Sequence, residues 1–347
     1  MLRALLEPSE LTWRLSSGTA SVLGLTRAPT AVPPTTAYVM LGDRCANDCA
    51  FCAQARSSRA SEDALSRVIW PPITGEQAVA AVTDGFARHT IRRVCLQITG
   101  GPEAHLSALS AVQAISSVSP VPVCVSIAAS TQGEIAQLLS AGAERVTLAL
   151  DAVTPTLFEH VKKRSWAATW ACLQEAANRY PSHIGTHLIA GLGETEEQLV
   201  TLASELFRLQ VSVGLFAFTP VRGTRMELNA PPALDRYRRV QAALWLLREG
   251  LVQREELRFD DCGTLRSLSM ERNALAELLR SGEAFRTRGC PDCNRPYYNE
   301  RPSGAHYNYP RPLTQAEADR EVSSLLEMLD FATTGSEGAY GQAHTIV

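Results

Sequence analysis

The most compact group of potential metal ligands is formed by Cys45, Cys49 and Cys52, in the segment CANDCAFC. This segment directly follows a short apolar run at residues 37–41 that is typical of a strand. Thiolates at this spacing on a loop can converge on one soft metal centre. Three thiolates leave one iron of a four-iron cluster without a protein ligand, so a small molecule can bind there. A zinc site would need a fourth protein ligand.

A second group of thiols consists of the CxxC pair Cys290 and Cys293, with Cys262 before it. These three side chains could bind zinc together with His306. The pair could also act as a redox dithiol, although this part of the sequence lacks the βαβ pattern of a thioredoxin-like motif. An auxiliary iron–sulfur cluster is the third alternative.

The bulk composition of the 347 residues is that of a soluble globular protein, with 45% apolar residues, 20% charged residues and a formal net charge of −3. The charges form no basic stripe, so we expect no nucleic-acid partner. No apolar run reaches membrane-spanning length, and the first 34 residues lack the pattern of a secretory signal. We therefore expect a cytoplasmic protein without membrane association. In a reducing compartment, clustered cysteines indicate metal binding or catalysis.

Apolar runs of strand length alternate with amphipathic stretches of helical length, which predicts an α/β fold with a parallel sheet. We expect a complete or partial (β/α) TIM-type barrel over residues 36–265, with its chemistry at the carboxyl ends of the strands. It is preceded by an N-terminal helical extension (1–35). It is followed by a C-terminal segment (266–330), which binds an auxiliary cluster and ends in a helix, and then by a disordered tail (331–347). The predicted strands are 37–41, 93–98, 121–127, 145–150, 183–189, 211–218 and 256–259; the predicted helices between them are 75–89, 103–118, 131–141, 154–179, 194–209 and 233–250.

The pattern CxxxCxΦC, with Phe51 as its aromatic residue, resembles the motif of the radical S-adenosylmethionine (SAM) superfamily. The resemblance implies a four-iron cluster on Cys45, Cys49 and Cys52 that binds SAM through its methionine amine and carboxylate. It implies that one-electron reduction then releases a 5′-deoxyadenosyl radical, which removes a hydrogen atom from an unactivated carbon. Glycines at the end of the second strand permit close approach of a ligand. The resemblance also implies contacts of other residues with SAM. Gly100 and Gly101 would bind its methionine amine, Asp151 its ribose, Arg164 its carboxylate and Ile189 its adenine.

Within this superfamily, residues 36–265 resemble biotin synthase. Cys95, Cys124 and Arg258 stand where biotin synthase has ligands of its sulfur-donating cluster, but Gly185 occupies the place of the third cysteine. The loss of that ligand argues against biotin synthesis by the same route. We therefore expect Cys95 and Cys124 to be inward-facing barrel residues, with a ligand role as the alternative.

The segment NRPYYNERP follows Cys293. Together with Cys262, Cys290 and Cys293, it resembles the biotin-synthase-like proteins that act in pairs as a lipoyl synthase. The resemblance implies that these three cysteines are ligands of an auxiliary four-iron cluster. The resemblance implies insertion of one sulfur atom into a protein-bound octanoyl chain. The implied partners are an octanoylated lipoyl-carrier protein or domain, a second radical SAM lipoyl synthase component and an electron donor such as ferredoxin or flavodoxin. The alternative is a biotin-synthase-like enzyme for rearrangement or cofactor maturation without sulfur donation.

Overall fold

Six parallel strands form the centre of the computed structural model, which describes residues 7, 11–27, 31–128, 131–300 and 303–331. From β2 to β10 their order in the sheet follows the chain, and β1 and β5 extend the β2 edge in antiparallel orientation. The predicted α/β fold with a partial TIM-type barrel is confirmed. The strands of this sheet are β1 (Trp13–Leu15), β2 (Thr36–Leu41), β5 (Pro72–Ile73), β6 (Arg93–Ile98), β7 (Val123–Ile127), β8 (Ala143–Leu148), β9 (Ile184–Ala190) and β10 (Ser212–Ala217), and the short pair β3 (Ala64–Leu65) and β4 (Val68–Ile69) forms a separate hairpin.

Helices follow the parallel strands as the alternating pattern predicts. Several begin with capping boxes, in which a threonine side chain and a glutamine or glutamate three residues later satisfy each other's backbone amides. The helices are α1 (Ser17–Val22), α2 (Gly75–Ala87), α3 (Ala104–Ser116), α4 (Gln132–Ser140), α5 (Pro155–Lys162), α6 (Trp166–Arg179), α7 (Glu196–Arg208), α8 (Leu234–Arg248), α9 (Arg272–Leu279) and α10 (Gln315–Glu327). Within the described residues, none of them is both long and apolar enough to cross a bilayer.

The helical stretch predicted at 154–179 is divided into α5 and α6. Lys163 adopts a left-handed conformation with φ of 55° and ends α5, and Ser165 caps α6 through its side chain. The sequence pattern did not reveal this break because the apolar spacing continues across it. The break places the end of α5, with Lys162, close to the carboxyl end of β8.

The predicted N-terminal extension contains the helix α1 and also the strand β1, which was not predicted. All three residues of β1 are buried, the charged Arg14 included, and a strand of three residues is too short to give a periodic signal in the sequence. The predicted tail falls almost entirely on residues 332–347, outside the described residues.

The prediction of a seventh barrel strand at 256–259 is wrong. Residues Leu257–Phe259 form β11, which pairs in antiparallel orientation with β12 (Leu265–Leu268) in a separate hairpin. The segment is too short and too polar for a parallel strand buried on both faces. Arg258, aligned by resemblance with an inward-facing ligand, is exposed on this hairpin.

A C-terminal segment, residues 289–299, crosses the open side of the partial barrel between β2 and β10. Near the start of β10, Ser212 Oγ donates to Gly289 O at 3.3 Å. On β2, the hydroxyl of Tyr38 accepts a hydrogen bond of 2.8 Å from the backbone amide of Arg295. At the end of β10, Asn299 Nδ2 donates to the carbonyl of Ala217 at 2.7 Å. The segment therefore runs from the amino ends of the strands toward their carboxyl ends.

Candidate active site

The first thiol group lies on the loop after β2, at the carboxyl edge of the sheet. The amide of Cys45 donates to Gln54 O at 3.0 Å, and that of Cys52 donates to Cys49 O at 3.2 Å. The adjacent Ala46 amide donates to Gly100 O, just after β6, at 2.6 Å. These bonds fold the loop back on itself and attach it to the neighbouring strand.

Gly100 approaches the first thiol group closely. Its amide donates to Cys45 Sγ at 3.0 Å, and Asn47 Nδ2 lies 3.6 Å from the same sulfur. A Cβ atom at Gly100 would lie 2.1 Å from Asn47 Nδ2 and 3.0 Å from Cys45 Sγ, so a side chain there would displace the loop. Gly101 is exposed, and a Cβ atom there would meet no neighbour within 4 Å. Of the two predicted glycines, Gly100 is the one in contact with the thiols.

Asp151 carries a buried ion pair that the sequence did not reveal. Lys162 Nζ lies 2.5 Å from Asp151 Oδ2 and 2.6 Å from Ala149 O, and the two side chains are only 5% and 12% exposed. Asp151 has a φ of 64° and bridges to Leu188, so it continues the pairing of β9 beyond the end of β8. Lys162 stands in a run of three basic residues, and its burial could be inferred only from the break after α5.

Two cations act on the first thiol group. Burial raises the pKa of Cys49, and the charges of Lys162 and Arg164 partly oppose this effect. Burial and the adjacent Cys49 raise the pKa of Cys52 to about 12. A coordinated metal cation deprotonates such a thiol. Arg164, predicted to pair with the SAM carboxylate, is half-buried and close enough to Cys49 for this electrostatic interaction.

The loop after β9 is held by a buried carboxylate. Glu194 accepts hydrogen bonds from the amides of Gly191, Leu192 and Gly193 at 2.7, 3.0 and 3.2 Å, and its side chain is fully buried. Arg236 Nη2 neutralises it at 2.6 Å. This loop directly follows the strand that carries Ile189, so Glu194 is a supporting residue that sequence reasoning missed.

The second thiol group differs from the predicted set. Cys290 and Cys293 interact electrostatically with Cys95, and Cys290 also interacts through its thiol with Cys124. The structure does not bring Cys262 into this group. Cys262 is exposed in a turn, where its amide donates to Asp260 Oδ1 at 3.0 Å.

His306, the candidate fourth zinc ligand, packs against Tyr309 with ring centroids 5.1 Å apart, and its Nδ1 lies 3.8 Å from Glu300 Oε1. The structure therefore does not bring His306 to the thiols. The expectation that Cys95 and Cys124 face inward agrees with their positions, and their contact with the CxxC pair was not foreseen.

Arginines surround the second thiol group. Arg93 Nη1 lies 2.8 Å from Cys124 Sγ. A hydrogen bond with Cys124 and the charges of Arg145, Arg93 and Arg295 lower the pKa of Cys290 to about 6. The Nε atoms of these three arginines are buried and have no hydrogen-bond partner among the described residues. Positive charge and unused donors favour a negatively charged group at this position.

Cys52 of the first thiol group and Cys95, Cys290 and Cys293 of the second line one cavity on the concave side of the sheet. Its volume is about 1060 Å³, including its opening to solvent. Burial and the charge of Arg295 lower the pKa of His187 in the wall to about 4, so this imidazole is neutral at pH 7. The lining includes Phe51, Cys52, Asp151 and Ile189 near the carboxyl ends of the strands, Cys95, Cys290, Cys293 and Arg295 deeper in the barrel, and Leu65, His187, Phe216, Val221 and Tyr298 among the other wall residues.

The arrangement of the thiols can be compared with the metal centres they could hold. Among the described residues, no three Cys, His, Asp or Glu side chains are arranged to hold a single metal ion. In a four-iron cluster each thiolate binds a different iron, so its ligands are spread more widely than those of one ion. The close approach of Gly100 to Cys45 and the arginines around Cys124 and Cys290 fit such clusters.

Comparisons with known proteins agree with the thiol motif. The family profile described as the radical SAM superfamily matches residues 39–206. The chain is 28% identical over 190 residues to a biotin synthase of Persephonella marina, covering 53% of this chain and 54% of that protein. It is 23% identical over 184 residues to a biotin synthase of Sulfurihydrogenibium sp., covering 52% and 53%. The chain thus spans about half the length of the curated relatives it matches.

Solved structures give weaker similarities. The FeFe-hydrogenase maturase HydG from Carboxydothermus hydrogenoformans has a TM-score of 0.46 and 18% identity, covering 62% of this chain and 51% of that chain. Methylornithine synthase (PylB) has a TM-score of 0.46 and 15% identity, covering 59% of each chain. At such scores these similarities support no further conclusion.

Proposed function

Given that this chain belongs to the radical SAM superfamily, we propose that it inserts sulfur into a protein-bound octanoyl chain as one component of a two-protein lipoyl synthase. The observation that carries the proposal is the cavity between the two thiol groups. Insertion of sulfur at an unactivated carbon requires a hydrogen abstractor and a sulfur donor on either side of the same carbon. A cavity bordered by both groups meets this requirement.

Bound cofactors would supply the difficult chemistry: a four-iron cluster with SAM would supply the radical, and an auxiliary cluster would supply the sulfide. The protein holds and orients them. Cys45, Cys49 and Cys52 would hold the first cluster, with the Gly100 amide as a hydrogen-bond donor to one sulfur. Asp151 would bind the SAM ribose, and Lys162 holds its carboxylate in place.

The wall between the thiol groups suits an alkyl chain. Leu65, Phe216 and Tyr298 contribute apolar surface, and His187 is neutral at pH 7. Beyond its carbonyl, an octanoyl chain has no polar group that would need a partner in such a cavity, so burial of its alkyl part is favourable. The same wall would exclude water from a carbon radical.

A basic groove at the mouth of the cavity suits an acidic carrier domain. Arg59, Arg67 and Arg222 are exposed along this groove, whereas Glu227 is its one acidic lining residue among those described. Ser66 and Val221 line both the groove and the cavity, so the two adjoin. Complementary charge would orient the carrier, whose lysine-linked acyl chain could then enter the cavity. The second lipoyl synthase component and a ferredoxin or flavodoxin complete the proposed set of partners.

The proposal is tested by anaerobic incubation of the cluster-loaded protein with SAM, a strong reductant and an octanoylated lipoyl domain. The same domain carrying one thiol on its octanoyl chain is the second substrate, because each component inserts one sulfur. We expect 5′-deoxyadenosine and the mass gain of one sulfur atom with one of the two substrates. Formation of 5′-deoxyadenosine without sulfur in either product would contradict the proposal and favour a rearranging or maturation enzyme.

A further inference from the structure

We propose that Cys95, Cys124, Cys290 and Cys293 are the four protein ligands of an auxiliary four-iron cluster, and that Cys262 is not a ligand. This inference deepens the proposed function, because it identifies the residues that would hold the sulfur donor. It assigns two ligands to the barrel and two to the C-terminal segment.

The register of the sheet places the first two ligands side by side. Cys95 on β6 and Cys124 on β7 are Cα partners in a parallel pair. Partners in adjacent strands project their side chains to the same face of the sheet. Cys95 lines the cavity on that face, together with Gln97 two residues along β6.

The C-terminal segment brings the other two ligands to the same place. Cys293 and Cys290 are joined by a turn, in which the amide of Cys293 donates to Cys290 O at 3.3 Å. The turn can approach β10 because Gly214 has no side chain, and an added Cβ atom at Gly289 would lie only 3.4 Å from Gly214 Cα. Tyr38 Oη lies 3.4 Å from Cys293 Sγ and ties the turn to β2.

Gly185 on β9 explains why the ligands come from this segment. In the biotin synthase resemblance its position belongs to a third barrel cysteine. Here a Cβ atom at Gly185 would lie 2.8 Å from Thr147 Oγ1, so a cysteine would require the Thr147 hydroxyl to move. The CxxC pair supplies thiols from the open side of the barrel instead.

The surroundings carry the charge and the donors that a thiolate-bound cluster needs. Arg93 Nη1 donates to Cys124 Sγ at 2.8 Å, and Gln97 Nε2 donates to Cys95 Sγ at 2.9 Å. The buried Nε atoms of Arg93, Arg145 and Arg295 lack acceptors among the described residues. Hydrogen bonds to sulfur and nearby positive charge stabilise an anionic cluster and raise its reduction potential.

Four cysteines can also hold zinc, which needs them in one tetrahedron. Iron, sulfide and zinc contents therefore distinguish the two metals directly.

The experiment starts from a variant in which Cys45, Cys49 and Cys52 are replaced by alanine, so that only the second site can bind iron. After anaerobic reconstitution we expect about four irons and four sulfides per chain. Adding Cys124→Ser or Cys290→Ser should reduce iron to below about one per chain. Adding Cys262→Ala, at an exposed position, should leave the iron content and the visible absorbance unchanged. Cys172→Ala, on α6, is a second control outside the site.

Loss of the iron in the Cys262→Ala variant, or its retention in both serine variants, would overturn the ligand assignment. Zinc in place of iron would overturn the cluster. Circular dichroism of the serine variants distinguishes ligand loss from misfolding, and the Cys262→Ala result tests the exclusion of Cys262 independently of them. This experiment uses no substrate, so it is independent of the proposed function. If the iron contents agree with the assignment but sulfur insertion fails, the proposed function is refuted and this inference remains.

Discussion

Replacing Lys162 by methionine should destabilise the protein by about 3–5 kcal/mol, because it leaves a buried carboxylate without its cation. Lys162 Nζ lies 2.5 Å from Asp151 Oδ2, and the two side chains are 5% and 12% exposed. Methionine preserves most of the aliphatic volume, and its thioether can contact the Phe158 ring, whose centroid is 5.3 Å from the Nζ that is removed. The expected loss therefore reports the charge pair rather than a cavity.

A double-mutant cycle isolates this pair. Asp151→Asn with Lys162→Met removes both charges, and the double variant should be at least about 2 kcal/mol more stable than the sum of the single losses implies. Lys163→Met, at the exposed neighbouring residue, is the matched control and should change the free energy of unfolding by less than about 0.5 kcal/mol. Urea denaturation of the cluster-loaded proteins under anaerobic conditions measures all four values. Additive single effects, or equal losses at positions 162 and 163, would refute the reasoning.

Other parts of the site give further predictions. Gly100→Ala should lower the reduction potential of the first cluster by roughly 50 mV, because weakening the hydrogen bond to Cys45 Sγ by about 1 kcal/mol disfavours the reduced state. Gly101→Ala should cause no shift in the same redox titration, since its Cβ atom meets open space. Glu194→Gln should destabilise the protein by about 2 kcal/mol in urea denaturation and weaken SAM binding in calorimetry, because it removes the charged acceptor of three loop amides. Arg222→Glu should raise the KM for an acidic carrier domain several-fold at low salt and leave kcat unchanged; an unchanged KM would exclude this groove as the docking surface.

The parts of the site that sequence predicted are those encoded by local spacing. Cys45, Cys49 and Cys52 are neighbours in the chain and follow a strand, so their convergence needs only one loop. The strand–helix alternation likewise depends on local apolar periodicity, and six of seven predicted barrel strands are present in the parallel sheet. Asp151 and Ile189 were placed near the cavity because they lie at or near the ends of parallel strands.

The parts that sequence did not predict depend on contacts between distant residues. Cys262 was grouped with Cys290 and Cys293 because it precedes them with no other cysteine between. In the structure the pair crosses the open side of the barrel and meets Cys95 and Cys124, about 170–200 residues earlier. No periodicity in the sequence encodes that crossing.

The buried ion pair of Lys162 was not predicted from the sequence for a related reason. Its partner Asp151 is close in sequence. Which of Lys162, Lys163 and Arg164 is buried against it depends on where α5 ends, and the sequence does not show that end. The residue at the end of the helix turns its ammonium toward Asp151, and the next one is exposed.

In the proposed function, both thiol groups serve one substrate in one cavity. Reconstituting the protein anaerobically with isotopically heavy sulfide, followed by a single turnover in buffer without free sulfide, tests it most directly. If the second thiol group holds the sulfur donor, the sulfur in the acyl product carries the heavy isotope, with no more than one atom per chain, and Cys290→Ser abolishes its transfer; this is the proposed role. An acyl product without heavy sulfur, formed while 5′-deoxyadenosine accumulates, would contradict it.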